Sequence, residues 1–369
     1  MKIAYIVLKG MPLGGGIEKF TEEVGSRLVS KGHEVTVYTM NHYGAQKGYY
    51  KGMKIRTVPS LKKRSFEKLT ASLMATIRHC LEMGTDIFHF HAFGPAMFCF
   101  IPRLLGKKVL VQGHGIEWKR SKWGILGKTF LRLSEYPSVK WPHQITVVSK
   151  VQKEYLKNQY GIESVYIPTG VNPPNFEKPE LIKNYSLEGK DYILFAARLV
   201  REKGVHYLME AYKKLKTGLK LVIAGDAEHE EIYKSQLYRM AGESKNIIFT
   251  GFVTGKLLHE LFSNCYIFVL PSELEGLPIA LLEAMSYGNC CLVSDIPENL
   301  EAISNYGYTF KNRDVEDLAS KLEFLINHHE AVNSFKETAR EYVLQNYSWD
   351  KIASDFEELY VNLINNGNQ

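Results

Sequence analysis

Cysteine is scarce: the 369 residues include five, Cys80, Cys99, Cys265, Cys290 and Cys291. None falls in a C-x-x-C spacing and most sit in apolar segments, as reduced core thiols do, so neither a disulfide framework nor a thiolate metal knuckle is expected. No stretch approaches the ~20 apolar residues that a membrane span requires. The opening apolar run, residues 1–8, is too short for a secretory leader and is followed by Gly10 and Pro12 rather than a cleavage site, which makes the expected localisation cytoplasmic. Asp-x-Asp occurs nowhere. Zinc-finger spacings, RNA-binding sheet motifs and continuous basic helices are missing too, so nucleic acid is not an expected partner.

What the chain does have is a division of charge. The overall balance is +6, yet residues 1–180 hold 27 Lys and Arg against 13 Asp and Glu, a net of +14, which leaves −8 for residues 181–369. A basic half can face an anionic membrane or an acidic acceptor. Lys62-Lys63-Arg64 and Lys119-Arg120 fit peripheral contact with anionic lipid, with an ordinary solvated surface as the alternative. With 45% hydrophobic and 23% charged residues the composition is that of a soluble globular protein, and the length calls for two domains.

Strand and helix patterns alternate in both halves. Residues 2–8, 34–40, 53–59, 86–91, 108–112, 143–149 and 165–168 read as strands, with a glycine loop at 9–16, a helix from Ile17, a loop at 41–52 and a helix at 66–83. Turn formers and prolines at 168–174, then a polar run at 175–184, mark the interdomain linker. The pattern restarts with strands at 192–197, 220–224, 246–249 and 265–270 and a helix at 205–215. Helices follow at 314–327, 331–346 and 349–363, the last with Ile352, Phe356 and Tyr360 at four-residue spacing. This predicts an α/β protein of two doubly wound Rossmann-like domains, 1–172 and 173–347, with ligands at the carboxyl ends of the strands.

Chemistry-bearing residues gather at those ends. After the first strand, Gly15 and Gly16 let the backbone approach a ligand and aim amides at it, as at a phosphate-binding helix start. Glu18 occupies the place of the third glycine of G-x-G-x-x-G, which excludes a nicotinamide-type site. His114 lies between glycines at a strand end, where packing is not its obvious role. His89 and His91 raise a metal reading with His114, but no cysteine or carboxylate completes the set, and the alternative is a buried, hydrogen-bonded histidine. Trp118, Lys119 and Arg120 belong to a loop that interleaves two tryptophans with cations, suited to sugar rings, lipid or phosphate.

In the second half, Arg198 and Lys203 lie in a loop before a helix, where a planar fork and a point charge suit a pyrophosphate. Residues 268–285 read as strand, loop and helix, with Pro278 at the first helical position. There the amides of Gly276, Leu277 and Ile279 lack intrahelical partners, and Glu275 and Glu283 stand far enough apart to hold hydroxyls at two ends of one ligand.

Glu275 and Glu283 with seven residues between them, following Arg198 and Lys203, resemble the paired-glutamate motif of retaining, nucleotide-sugar-dependent glycosyltransferases of family 4, which have the GT-B fold. The loop with the two tryptophans is similar to one in bacterial surface-polysaccharide members. The resemblance covers most of the chain, from residue 2 to about 301 with the final helix. It implies two Rossmann-like domains facing a cleft, and a last helix, residues 348–369, packing back on the first domain. It further implies transfer of a hexosyl group from a nucleotide diphosphate sugar to a glycan or lipid-diphosphate-linked glycan hydroxyl, with retention. In that family Arg198 and Lys203 would hold the diphosphate, Glu275 the sugar, Glu283 the ribose, Val253 the base edge and His114 the sugar near its reacting end. The loop of Gly15, Gly16 and Glu18 would face phosphate and acceptor, and Trp118, Lys119 and Arg120 the acceptor. Neither cofactor nor metal is implied, the nucleotide sugar being a substrate and protein cations standing in for a divalent ion. The same fold also hosts nucleotide-sugar epimerases and phosphorylases, and a non-catalytic sugar-nucleotide-binding protein is a further alternative.

Overall fold

In a computed structural model, which describes residues 1–43, 48–62, 66–81, 84–120, 123–227 and 230–365, the first strand shows how the sequence builds its layers. β1 (Lys2–Leu8) sends Ile3 and Tyr5 into one apolar layer and Ala4 and Ile6 into another, as the two-residue period of a strand requires. A strand with both faces buried needs cover on both sides. The helix Gly16–Ser30 supplies one cover through Phe20, Val24 and Leu28, and the helix Glu67–Cys80 the other through Ala71 and Ala75.

Contacts divide the chain into two units, Met1–Gly170 with Trp349–Gln369, and Val171–Ser348. The first unit holds β1, β2 (Glu34–Met40), β3 (Gly48–Tyr50), β4 (Met53–Val58), β5 (Ile87–His91), β6 (Lys108–Gly113), β7 (Gln144–Val147) and β8 (Val165–Tyr166). Their order in the sheet is β3-β4-β2-β1-β5-β6-β7-β8, with only the edge pair β3 and β4 antiparallel. The second unit holds β9 (Tyr192–Ala196), β10 (Lys220–Ala224), β11 (Ile247–Gly251), β12 (Ile267–Leu270), β13 (Cys290–Ser294) and β14 (Tyr308–Phe310), in the order β11-β10-β9-β12-β13-β14, all parallel. Each unit is a doubly wound, Rossmann-like layer structure, as its alternating pattern predicts.

Several elements differ from expectation. The helix expected from Pro278 starts at Ile279, with Pro278 as its N-cap at ψ 95°, outside helical range. Residues 331–346 form two helices, His329–Asn333 and Lys336–Asn346, separated where Phe335 leaves helical geometry and meets Tyr308 at 5.5 Å between ring centroids. The helix expected at 66–83 is observed over Glu67–Cys80, and Met83 lies outside the described residues. So do Lys63 and Arg64 of the basic cluster. A helix with no counterpart in the sequence reading, Ile125–Lys140, follows the tryptophan loop.

The last helix, Trp349–Asn365, belongs to the first unit. Trp349 and Phe356 meet the ring of Phe20 at 5.9 and 5.3 Å, and the Tyr360 hydroxyl lies 2.7 Å from His89 Nδ1. Arg27 to Asp350 at 2.6 Å and Lys31 to Glu357 at 2.5 Å border this apolar seam. Phe356 is fully buried, so F356A should destabilise the first unit by about 3–5 kcal/mol. Urea unfolding followed by circular dichroism checks this, and an unchanged midpoint would mean that the helix contributes little to the core.

Candidate active site

In the second unit the site is set by two neighbouring parallel strands. β9 and β12 pair through Ile193 with Ile267 and Leu194 with Phe268, so the loops that leave their carboxyl ends lie side by side. The β9 loop carries Arg198 and Lys203, and the β12 loop carries Glu275. Gly204 closes the first loop at φ +67°, and a Cβ there would overlap the Pro271 carbonyl oxygen, so the two backbones meet at a position that only glycine fits. Lys203 Nζ then reaches Glu275 Oε1 at 2.5 Å, with 15% and 7% of the side chains exposed.

Glu275 is held on one side only. Its Oε1 also accepts from Ser272 Oγ at 2.7 Å, while Oε2 takes no hydrogen bond among the described residues and is free to accept from a ligand hydroxyl. Behind it, Ser294 Oγ donates to the Ser272 carbonyl at 2.5 Å, and the buried Asn299 Nδ2 donates to Ser294 Oγ at 2.9 Å and to its carbonyl at 3.1 Å. Glu273, next in the loop, donates its amide to the Glu202 carbonyl at 2.8 Å and accepts from Tyr207 at 2.8 Å and Arg313 at 2.7 Å. Ser272, Glu273, Ser294 and Asn299 were not among the expected site residues. The three-residue step from Ser272 to Glu275 was a local signal, whereas Ser294 and Asn299 arrive from the next strand and helix.

Arg198 is exposed and makes no ion pair among the described residues, so its guanidinium is available to an anion. Gly276 and Ile279 are half-buried and Leu277 is buried at the start of the helix Ile279–Ser286, and the half-buried Glu283 follows in its second turn. The amides of Gly276, Leu277 and Ile279 donate to no backbone carbonyl among the described residues. Val253, half-buried, follows β11 at the sheet's edge. The structure thus brings Lys203 and Glu275 into contact and sets Arg198, the helix start and Glu283 on the same carboxyl edge.

In the first unit, β1, β5 and β6 are neighbours and their carboxyl ends gather the other expected residues. Gly15 is the N-cap of the helix Gly16–Ser30, and the buried Glu18 turns back so that Oε1 accepts from the Lys9 amide at 3.2 Å. Glu18 therefore braces the glycine loop. His114 follows β6, with its Nε2 3.3 Å from Nδ1 of His91 and its ring 5.6 Å from that of Phe20. Burial, then Lys68 and Arg120, push its pKa down to about 3 against the opposing pull of Glu117, so it is neutral at pH 7. His89 and His91 lie well below the ordinary imidazole value, first because they are buried. Among the described residues no group of three His, Cys, Asp or Glu side chains is placed to hold a metal ion.

Trp118 is a packed residue more than an open platform. Its Nε1 donates to Tyr155 Oη at 3.2 Å, and the Arg132 guanidinium lies 4.1 Å from its ring centroid. Tyr155 and Tyr160 both donate to Glu135, whose pKa burial raises. Arg120 pairs with Glu117 at 3.0 Å, which leaves Lys119 as the exposed cation of the turn.

The description "Glycosyltransferase Family 4" matches residues 14–174, and "Glycosyl transferases group 1" matches residues 177–342. The chain is 30% identical to the N,N'-diacetylbacillosaminyl-diphospho-undecaprenol alpha-1,3-N-acetylgalactosaminyltransferase of Campylobacter jejuni, over 62% of this chain and 63% of that one, so it spans a little under two thirds of that relative. It is 25% identical to an uncharacterized glycosyltransferase of Methanocaldococcus jannaschii over 98% of both chains. In fold it is similar to the sucrose-phosphate synthase of Thermosynechococcus elongatus, with a TM-score of 0.85 over 98% of both chains at 18% identity. Two α/β units of largely parallel strands, similar over 98% of the chain to that solved structure, give the chain the GT-B fold. The chain belongs to the glycosyltransferases of family 4, whose model matches its first half, while the group 1 glycosyltransferase model matches its second.

The buried His89 and His91 and the half-buried His114 carry a pH consequence. Their folded pKa values lie below the unfolded value of about 6.5, so the unfolded chain takes up protons first as the pH falls. The thermal midpoint should hold steady above about pH 7 and decline once the pH drops below about 6.5. H114Q should make that first decline shallower. A midpoint that rises between about pH 6.5 and 5.5 would contradict neutral imidazoles.

Proposed function

We propose that the protein transfers a hexosyl group from a nucleotide diphosphate sugar to a hydroxyl of a glycan or lipid-diphosphate-linked glycan, with retention of anomeric configuration, in bacterial polysaccharide synthesis. It is proposed to work in the cytoplasm, peripherally on the inner face of the membrane. The observation that carries the reading is the Lys203–Glu275 contact on the carboxyl edge of β9 and β12, beside the exposed Arg198, in a chain of this family. The relative in C. jejuni is named for adding N-acetylgalactosamine to a sugar on diphospho-undecaprenol, which supports an acceptor of that chemistry.

The roles follow from the groups. Arg198 and Lys203 neutralise the diphosphate and the charge that grows on it as the sugar leaves. Glu275 accepts a hydroxyl of the sugar through Oε2 while Oε1 keeps Lys203 in place, and Glu283 accepts the ribose hydroxyls. The amides of Gly276, Leu277 and Ile279 add donors toward oxygen atoms of the donor substrate, and Val253 flanks the base. His114, neutral, can give or take one hydrogen bond with a sugar hydroxyl. Retention is assigned to front-side attack, with the departing phosphate oxygen taking the acceptor proton, so no carboxylate acts as nucleophile. Two protein cations on the diphosphate make a divalent ion unnecessary.

Incubation with a panel of nucleotide sugars, read by mass spectrometry for slow donor hydrolysis, should single out one donor. An epimerised donor formed without acceptor would overturn the transferase reading in favour of an epimerase. K203A should weaken binding of that donor by about tenfold to a hundredfold and lower turnover, the loss of one charge-assisted contact. Unchanged values for both would remove Lys203 from the site. Chelator should leave transfer intact, and activity lost to chelator and restored by Mg²⁺ would sink the metal-independent assignment.

A further inference from the structure

The helix Ile125–Lys140 presents its apolar residues to the wrong side for a helix that only packs on its own unit. Ile125 is 85% exposed, Leu126 87%, Leu133 70% and Tyr136 58%, with Phe130 exposed beside them. At 100° per residue these five positions fall within an arc of roughly 140°. The opposite side buries Ser134, Glu135, Ser138 and Val139. A surface helix ordinarily reverses this arrangement, with polar residues outward. Trp141 continues the apolar strip beyond the helix and meets Phe100 at 6.2 Å between ring centroids.

Charge decides what such a face can meet. The exposed Arg132 borders this face with its guanidinium on the Trp118 ring, the exposed Lys140 ends it while donating to the Tyr160 carbonyl at 2.9 Å, and the exposed Lys119 belongs to the turn before the helix; Lys128 is half-buried on the inward side. The only acid of the helix, Glu135, is buried behind and taken by Tyr155 and Tyr160. Apolar side chains bordered by cations, with tyrosine and tryptophan at one end, match the layered chemistry of a bilayer surface, where acyl chains lie beneath anionic headgroups. A second copy of the chain would set the same cations against one another, with no acid on the face to answer them.

We infer that the outward face of Ile125–Lys140 is an interfacial docking surface for an anionic membrane, the helix lying in the plane of the headgroups. No helix among the described residues is long and apolar enough to cross a membrane, so this contact is peripheral. It relocates the lipid contact from the basic clusters expected at Lys62-Lys63-Arg64 and Lys119-Arg120 to an apolar face that Lys119 adjoins. The inference deepens the proposed membrane association and rests on that reading.

Sedimentation with large unilamellar vesicles tests it, one set of pure phosphatidylcholine and one of phosphatidylcholine with phosphatidylglycerol at about 7:3. The full chain should bind the mixed vesicles at least about tenfold more tightly than the neutral ones, and L126E/L133E should lose at least about tenfold of that binding. Both positions are exposed, so the variant should keep wild-type donor hydrolysis, which shows that it is folded and leaves the transferase reading unaffected. Equal vesicle binding by L126E/L133E and wild type overturns this surface while leaving membrane association standing. Wild type that binds neither vesicle overturns both. A dimer in light scattering that L126E/L133E dissolves, without vesicle binding by wild type, overturns it in favour of self-association.

Discussion

Two sheltered charges of opposite sign, Lys203 and Glu275, tie the β9 and β12 loops of the second unit together. An ammonium and a carboxylate this sheltered cost several kcal/mol each to desolvate, and removing one alone leaves the other uncompensated. Each therefore requires the other, and both require their loops to emerge together. The parallel pairing of β9 with β12 guarantees that, and the glycine at 204 lets the backbones close in. Ser272, Ser294 and Asn299 then fix the carboxylate's orientation, so that one oxygen stays structural and the other faces outward. Pre-positioned charge of this kind needs little reorganisation when a ligand's charge develops.

The first unit solves a different problem with aromatic rings. Phe20 touches His91, His114, Trp349 and Phe356, so one ring connects the helix after the glycine loop, two strand ends and the terminal helix. Near the same edge, Val7 and Ala92 hold left-handed φ values of 61° and 68° at the ends of β1 and β5. Such geometry costs on the order of 1–3 kcal/mol per residue and persists only where surrounding packing imposes it. Burial within that packing holds His89 and His91 well below the ordinary imidazole value.

Much of this was legible in the sequence, for physical reasons that differ by element. β1, β9 and β12 announce themselves because strands buried on both faces are nearly continuous apolar runs, and Arg198, Lys203 and Glu275 stand in the loops that follow. The Ile125–Lys140 helix was not legible: its apolar residues face outward, Gly127 and Pro137 interrupt it, and no inward stripe marks it. Ser294 was equally silent, since its bond to the Ser272 carbonyl spans 22 residues and depends on strand order, and Asn299 acts only through Ser294. Trp118 looked like an open ring in the sequence, and only the tertiary arrangement shows Tyr155 and Arg132 upon it. The break near Phe335 likewise falls where its ring meets that of the distant Tyr308.

The helix Trp349–Asn365 closes the core of a unit whose other residues end at Gly170. During synthesis the second unit, ending at Ser348, is therefore complete before the first one can be. Until that helix is made, Phe20 and its neighbours lack the cover it provides, so the earlier-made of the two units is the later to mature.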